Sequence, residues 1–166
     1  MAQRPRVVNL KDCPQFVTKD GSKIREIMAP RNSRIDRQSL AEAVVPVGGS
    51  THDHFHARSE EIYFIVSGIG EMRIRRPAVQ SSSAELRSTE KPITAGAATM
   101  TMSMHSLPAI DDSSVAADEL FPVRAGDAIA LPPGTIHKIW NRGDTDLVFL
   151  CLCTPPYEHD DTTITE

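Results

Sequence analysis

The sequence predicts an all-β barrel or sandwich. Its apolar segments are strand-length, Gly and Pro turns separate them, and no long helical periodicity is present. With 166 residues the chain is long enough for one domain with a real core. Formal net charge is -4 with no basic run, so neither nucleic acid nor an anionic membrane surface is expected as a partner. No apolar run approaches the ~20 residues of a membrane span, and the residues after Met1 lack the apolar stretch of a secretory signal. A cytoplasmic protein is expected. Cys13, Cys151 and Cys153 are odd in number and do not form a disulfide pattern, so they read as reduced, partly buried thiols.

Residues 1–37 are mixed and polar. An apolar piece at 24–28 and turn signals at Asp20-Gly21 and Pro30-Arg31-Asn32 mark an arm with one or two strands, packing on the barrel. The barrel is expected over 38–157. Its first strand, 39–45, stops at Pro46 and Gly48-Gly49. Residues 61–66, Glu-Ile-Tyr-Phe-Ile-Val, are rich in β-branched and aromatic side chains and end at Gly68. Residues 71–75 alternate polar and apolar, as a half-buried strand should.

Between about 77 and 119 the composition turns to Ser, Ala, Gly and Asp, which reads as a long, loosely structured insertion. Within it Met100, Met102 and Met104 alternate with Thr and Ser, either as a strand with a Met face or as a mobile flap. Strand signals return at 128–131, before the Pro132-Pro133-Gly134 turn, and at 136–140, before a turn at 141–144. The near-continuous apolar run 147–153 is closed by Pro155-Pro156, and 158–166 read as a tail. Cys151 and Cys153 share one face of their strand, placed to pack in the core or to line a pocket.

Three histidines and one carboxylate fall at spacings that one metal ion could use. His54 and His56, two apart, project from one strand face. Glu61 follows a bend, at the start of the next strand, and His137 arrives just after a Pro-Gly turn. Imidazole suits Zn, Fe, Ni, Cu and Mn, and the carboxylate shifts the preference toward Fe(II) or Mn(II), with Zn(II) or Ni(II) possible. Asn141 is placed to cap the following turn through its side chain.

These residues carry a family resemblance. Gly48, His54, His56, Glu61 and Gly68 resemble the first cupin motif at every position. Gly126, Pro132, Gly134, His137 and Asn141 resemble the second, again complete. The resemblance covers roughly 38–154. It implies a double-stranded β-helix, or jelly-roll, barrel with one divalent metal ion per chain held by His54, His56, Glu61 and His137. The motif spacing to Gly68 selects Glu61 over the adjacent Glu60. The long stretch between the motifs departs from the short loop of many small cupins, so no substrate carries over. A homodimer is expected, because pairing hides barrel edges.

Other side chains are candidates by position. Tyr63 and Ile65 share Glu61's face, and Tyr63 could serve as acid, base or hydrogen-bond donor near a metal. Glu42, in a small apolar strand, is either an outward charge or an interior group assisting the centre. Arg25 and Arg31 could bind a carboxylate if the arm covers the mouth. His105 and His159 fall in loops, and Trp140 points away from the histidine face. The expected function is a metal-dependent enzyme acting on a small oxygenated molecule that chelates the metal. A non-haem dioxygenase is favoured over a Lewis-acid isomerase, decarboxylase, cyclase or lyase, and over a non-catalytic binding protein.

Overall fold

The computed structural model describes residues 7–75 and 118–166. The methionine alternation at 100–104 and His105 lie outside the described residues. In chain order the strands are β1 (Gln15–Val17), β2 (Lys23–Met28), β3 (Ser39–Val45), β4 (His54–His56), β5 (Glu60–Ser67) and β6 (Ile69–Arg75). After the insertion come β7 (Glu119–Arg124), β8 (Ala128–Leu131), β9 (Ile136–Asn141), β10 (Leu147–Thr154) and β11 (Thr162–Ile164). Every pairing is antiparallel. A six-stranded sheet runs β1-β2-β3-β10-β5-β8, and a five-stranded sheet runs β11-β4-β9-β6-β7. This is the jelly-roll architecture the motifs implied.

The period-two pattern of the sequence is what buries the core. In β5 the residues Glu61, Tyr63 and Ile65 are buried while Ile62, Phe64 and Val66 stay exposed. In β10 Leu147, Phe149, Cys151 and Cys153 are buried, and the residues between them are half-buried. The two inner faces meet around Ala43, Val45, Ile65, Met72, Ile139, Leu147 and Phe149. Burying each of the larger side chains is worth roughly 1.5–3 kcal/mol. Gly68 turns β5 into β6 at φ 90°, and a Cβ there would lie 2.8 Å from the Asp146 carbonyl oxygen. Only glycine fits both demands. Asn141 caps its turn as expected, accepting from Gly143 N at 2.9 Å and donating to the Val45 and Thr145 carbonyls.

Two expectations change. Glu42 does not point inward: the buried residues of β3 are Ser39, Ala43 and Val45, and Glu42, on the opposite parity, pairs with Arg25 at 3.1 Å. The last residues are not a free tail, because β11 pairs with β4. Residues 119–124 are a strand even though they contain Pro122. That strand lies at the sheet's edge, where a missing N–H is tolerated. Among the described residues no helix is long and apolar enough to cross a membrane.

Candidate metal centre

Cross-strand register assembles the site. His54 of β4 stands opposite His137 of β9, and their ring centroids lie 4.2 Å apart. His56 stands opposite Thr162 of β11. Glu61 stands opposite Cys153 of β10, and Tyr63 opposite Cys151. The two sheets turn these pairs toward one another inside the barrel. One ligand atom from each of His54, His56, Glu61 and His137 lies within 4.8 Å of the other three, and all four residues are buried. Glu60 is exposed.

Each imidazole is aimed by an acceptor behind it. His54 Nδ1 donates to the His52 carbonyl at 2.8 Å, and His137 Nδ1 donates to the Thr135 carbonyl at 2.8 Å. A carbonyl can only accept, so Nδ1 carries the proton and the Nε2 lone pair faces inward. Thr162 Oγ1 stands 3.3 Å from His56 Nδ1 and can accept its proton in the same way. Glu61 Oε2 lies 3.2 Å from His56 Nε2 and 3.5 Å from His137 Nε2, yet among the described residues it has no hydrogen-bond partner. Its other oxygen, Oε1, accepts from the Cys153 thiol at 3.3 Å.

Inward lone pairs and a buried, unpartnered carboxylate oxygen converge on one point. Such an arrangement is repulsive unless a cation sits among them, and it is the donor set of a divalent metal site. The acid–base behaviour agrees. Burial, reinforced by His137, pulls the His54 imidazole down to about 4, so it is neutral at pH 7. Burial opposes the charged form of His56 as well, but the Glu61 carboxylate outweighs it and the net direction is up. Burial would raise the Glu61 carboxyl, yet His137 and His56 hold it well below the ordinary value. A metal cation would relieve the repulsion among these inward-facing atoms. The cluster can hold one metal ion.

The walls are partly new. Tyr63 is buried, with its hydroxyl 3.4 Å from His137 Nε2, and burial with the Glu61 charge pushes its phenol well above the ordinary value. Cys151 and Cys153 line the pocket, and burial raises both thiols, so they stay protonated. The β1–β2 hairpin supplies Thr18, Asp20 and Ser22, and Tyr157 closes the side next to His56. The sequence marked Asp20-Gly21 only as a turn, and nothing in its short polar pattern placed it beside the histidines. Among the other candidates, Arg25 pairs with Glu42 of β3 and Arg31 with Glu26 of β2. His159 is exposed, and Trp140 lies on the outer face beneath Arg73, Lys138 and Arg142, each 5.3 Å from its ring.

The chain matches known proteins along nearly its whole length. Residues 8–165 match the family model described as Cupin. An uncharacterized protein of Methanocaldococcus jannaschii is 37% identical over 151 residues, 91% of this chain and 87% of that one. Among solved structures, a Lactobacillus farciminis oxalate decarboxylase in complex with formate gives a TM-score of 0.60 at 19% identity over 94% of this chain, which spans only 34% of that protein. Pac13 of Streptomyces, a nucleoside dehydratase, gives 0.58 at 14% identity over 98% of this chain and 92% of that one. A predicted oxalate decarboxylase of Thermotoga maritima gives 0.55 at 19% identity over 90% of this chain and 98% of that one. At such identities the structural likenesses speak to fold alone. Both complete motifs, the barrel built around them and the match over residues 8–165 agree: the chain belongs to the cupin family.

Proposed function

We propose that this protein is a metal-dependent enzyme that oxygenates a small molecule held through its own oxygen atoms. The observation that carries the reading is the convergence of four buried ligand atoms on one point. Fe(II) or Mn(II) suits three imidazoles and a carboxylate, and four protein ligands on a six-coordinate ion leave two positions. When bound, the metal supplies a Lewis-acidic centre with room for a chelating substrate or for substrate and dioxygen side by side.

The protein's own residues set the rest. The carbonyls of His52 and Thr135 and the Thr162 hydroxyl fix the imidazole orientations. The Cys153 thiol occupies Glu61 Oε1 and leaves Oε2 free for the centre. Tyr63, protonated and beside His137, can donate a proton or a hydrogen bond to a substrate oxygen. The cavity over the cluster is about 40 Å³, room for roughly three waters, which suits a ligand of few heavy atoms.

A second reading is Lewis-acid chemistry without oxidation, as in an isomerase, decarboxylase or lyase. Two observations favour it. The pocket wall carries two thiols, which oxidative chemistry would put at risk, and Tyr63 is a protonated acid in reach of the centre. Oxygen uptake by Fe(II)-loaded protein, screened with small enols, catechols and hydroxy acids, separates the readings. Oxygenation predicts stoichiometric dioxygen consumption and no turnover in its absence. Turnover under strictly anaerobic conditions would reject oxygenation in favour of the second reading.

A further inference from the structure

The cavity that holds the cluster has a second carboxylate in its wall. The β1–β2 hairpin places Asp20 there, between Thr18 and Ser22. Asp20 is buried, and main-chain hydrogen bonds fix its position relative to the histidines. Its carbonyl oxygen accepts from His52 N at 2.6 Å, and the His52 carbonyl in turn accepts from His54 Nδ1 at 2.8 Å. One residue thus links the hairpin tip to a ligand of the centre.

The two side-chain oxygens of Asp20 are unequally served. Oδ1 accepts from the Thr18 hydroxyl, from Ser22 N at 3.3 Å and from the Ser22 hydroxyl at 2.9 Å. Oδ2 accepts only from that same Ser22 hydroxyl, at 3.0 Å, among the described residues. Three protons therefore serve a carboxylate with about four acceptor sites, and Oδ2 is the oxygen left short. None of these donors carries a charge. Glu26, which lines the same cavity, differs in being paired with Arg31. Among the described residues that line the cavity none is Lys or Arg. A buried carboxylate in such a wall gains from one more hydrogen-bond donor and loses from a second anion. A cationic group is disfavoured in turn by the divalent metal that the unpartnered Glu61 Oε2 and the three imidazoles would hold.

We propose that Asp20 selects the substrate by accepting a hydrogen bond from a hydroxyl at the end away from the metal. The molecule that fits is uncharged, with a carbonyl and hydroxyl for the metal and a further hydroxyl for Asp20. A dicarboxylate would set its second charge against this wall. The inference rests on the reading of the cluster as a metal centre that a substrate chelates, and it holds for oxygenation and for Lewis-acid chemistry alike.

The test uses the full chain loaded with Mn(II) and three small probes: dihydroxyacetone, hydroxyacetone and malonate. Binding is read from water-proton relaxation, which falls as a probe displaces water from the metal. Wild type should bind dihydroxyacetone at least ~10-fold more tightly than hydroxyacetone, which lacks only the second hydroxyl. In Asp20→Asn that preference should vanish, while malonate tightens about 10-fold. A hairpin merely loosened by the substitution would weaken all three probes together, so opposite shifts separate recognition from support. Should the variant not fold, the wild-type comparison decides alone. Equal affinities for the two ketones in wild type, or a variant in which all three probes weaken or none changes, would overturn the inference and leave the metal centre standing. Folded wild type that takes up no Mn(II) would overturn the functional reading and this inference with it.

Discussion

The atoms behind the cluster matter as much as those in it. His54 and His137 are held by main-chain carbonyls, which no substitution of a single side chain removes, whereas His56 depends on the Thr162 hydroxyl. His56 is therefore the imidazole most open to testing. Thr162→Val should weaken metal affinity about 10–100-fold, with Thr162→Ser restoring most of it, as read by titration calorimetry. Equal affinity in the Val variant would deny the hydroxyl that role. His56→Ala should abolish binding and leave the barrel folded by circular dichroism. At this scale the motif residues were legible because a metal demands fixed residue types at fixed spacings. Glu42 was not, because small residues on one face of β3 and Leu40 and Val44 on the other leave its interior face ambiguous. Only pairing with β10 decides it.

At the scale of elements, long strands announced themselves and short ones did not. The strands β5 and β10 carry eight residues each with a clear period, while β11 carries three, two of them threonine. Its place is fixed by contacts distant in sequence. Asp161 accepts from Arg58 N and Nε and from Ser59 N, tying the end of the chain to the turn between β4 and β5. Burial would raise this carboxyl, but the Ser59 and Arg58 hydrogen bonds outweigh it and hold it below its ordinary 3.8. A depressed carboxyl stabilises the fold above its unfolded value, and that contribution fades as pH falls through the folded one. Wild type should thus lose stability between pH 4 and lower values more steeply than Asp161→Asn, in denaturant titrations at stepped pH; parallel slopes would contradict this. Gly68→Ala should cost about 1–3 kcal/mol, since alanine meets both the positive φ and the Asp146 carbonyl. A thermal midpoint unchanged in that variant would contradict the steric account.

For the whole molecule, the fold class could be read from turns and alternation, and the two-sheet division from the motifs. Which residues of β5 face outward could not, because apolar residues on a strand look alike whichever face they occupy. The alternation of β5 states it only once the interior is known: Glu61, Tyr63 and Ile65 face in, so Ile62, Phe64 and Val66 face out. The centre also couples to global stability, since it joins β4 and β9 of one sheet to β5 of the other. A metal that binds only the folded chain adds about 2.7 kcal/mol at ~100-fold above its Kd. The thermal midpoint should then rise by about 5–10 °C, reversibly on chelation, for a chain of this size.

The most direct test is titration of chelator-treated protein with Mn(II), or with Fe(II) under anaerobic conditions. It is read alongside His54→Ala, His56→Ala, Glu61→Ala and His137→Ala, each checked for folding. Four ligand atoms converging on one point predict a single saturable site per chain in wild type, and severe loss of affinity in each variant. Folded wild type that binds neither ion, or variants that bind as tightly as wild type, would contradict the centre on which the functional reading rests.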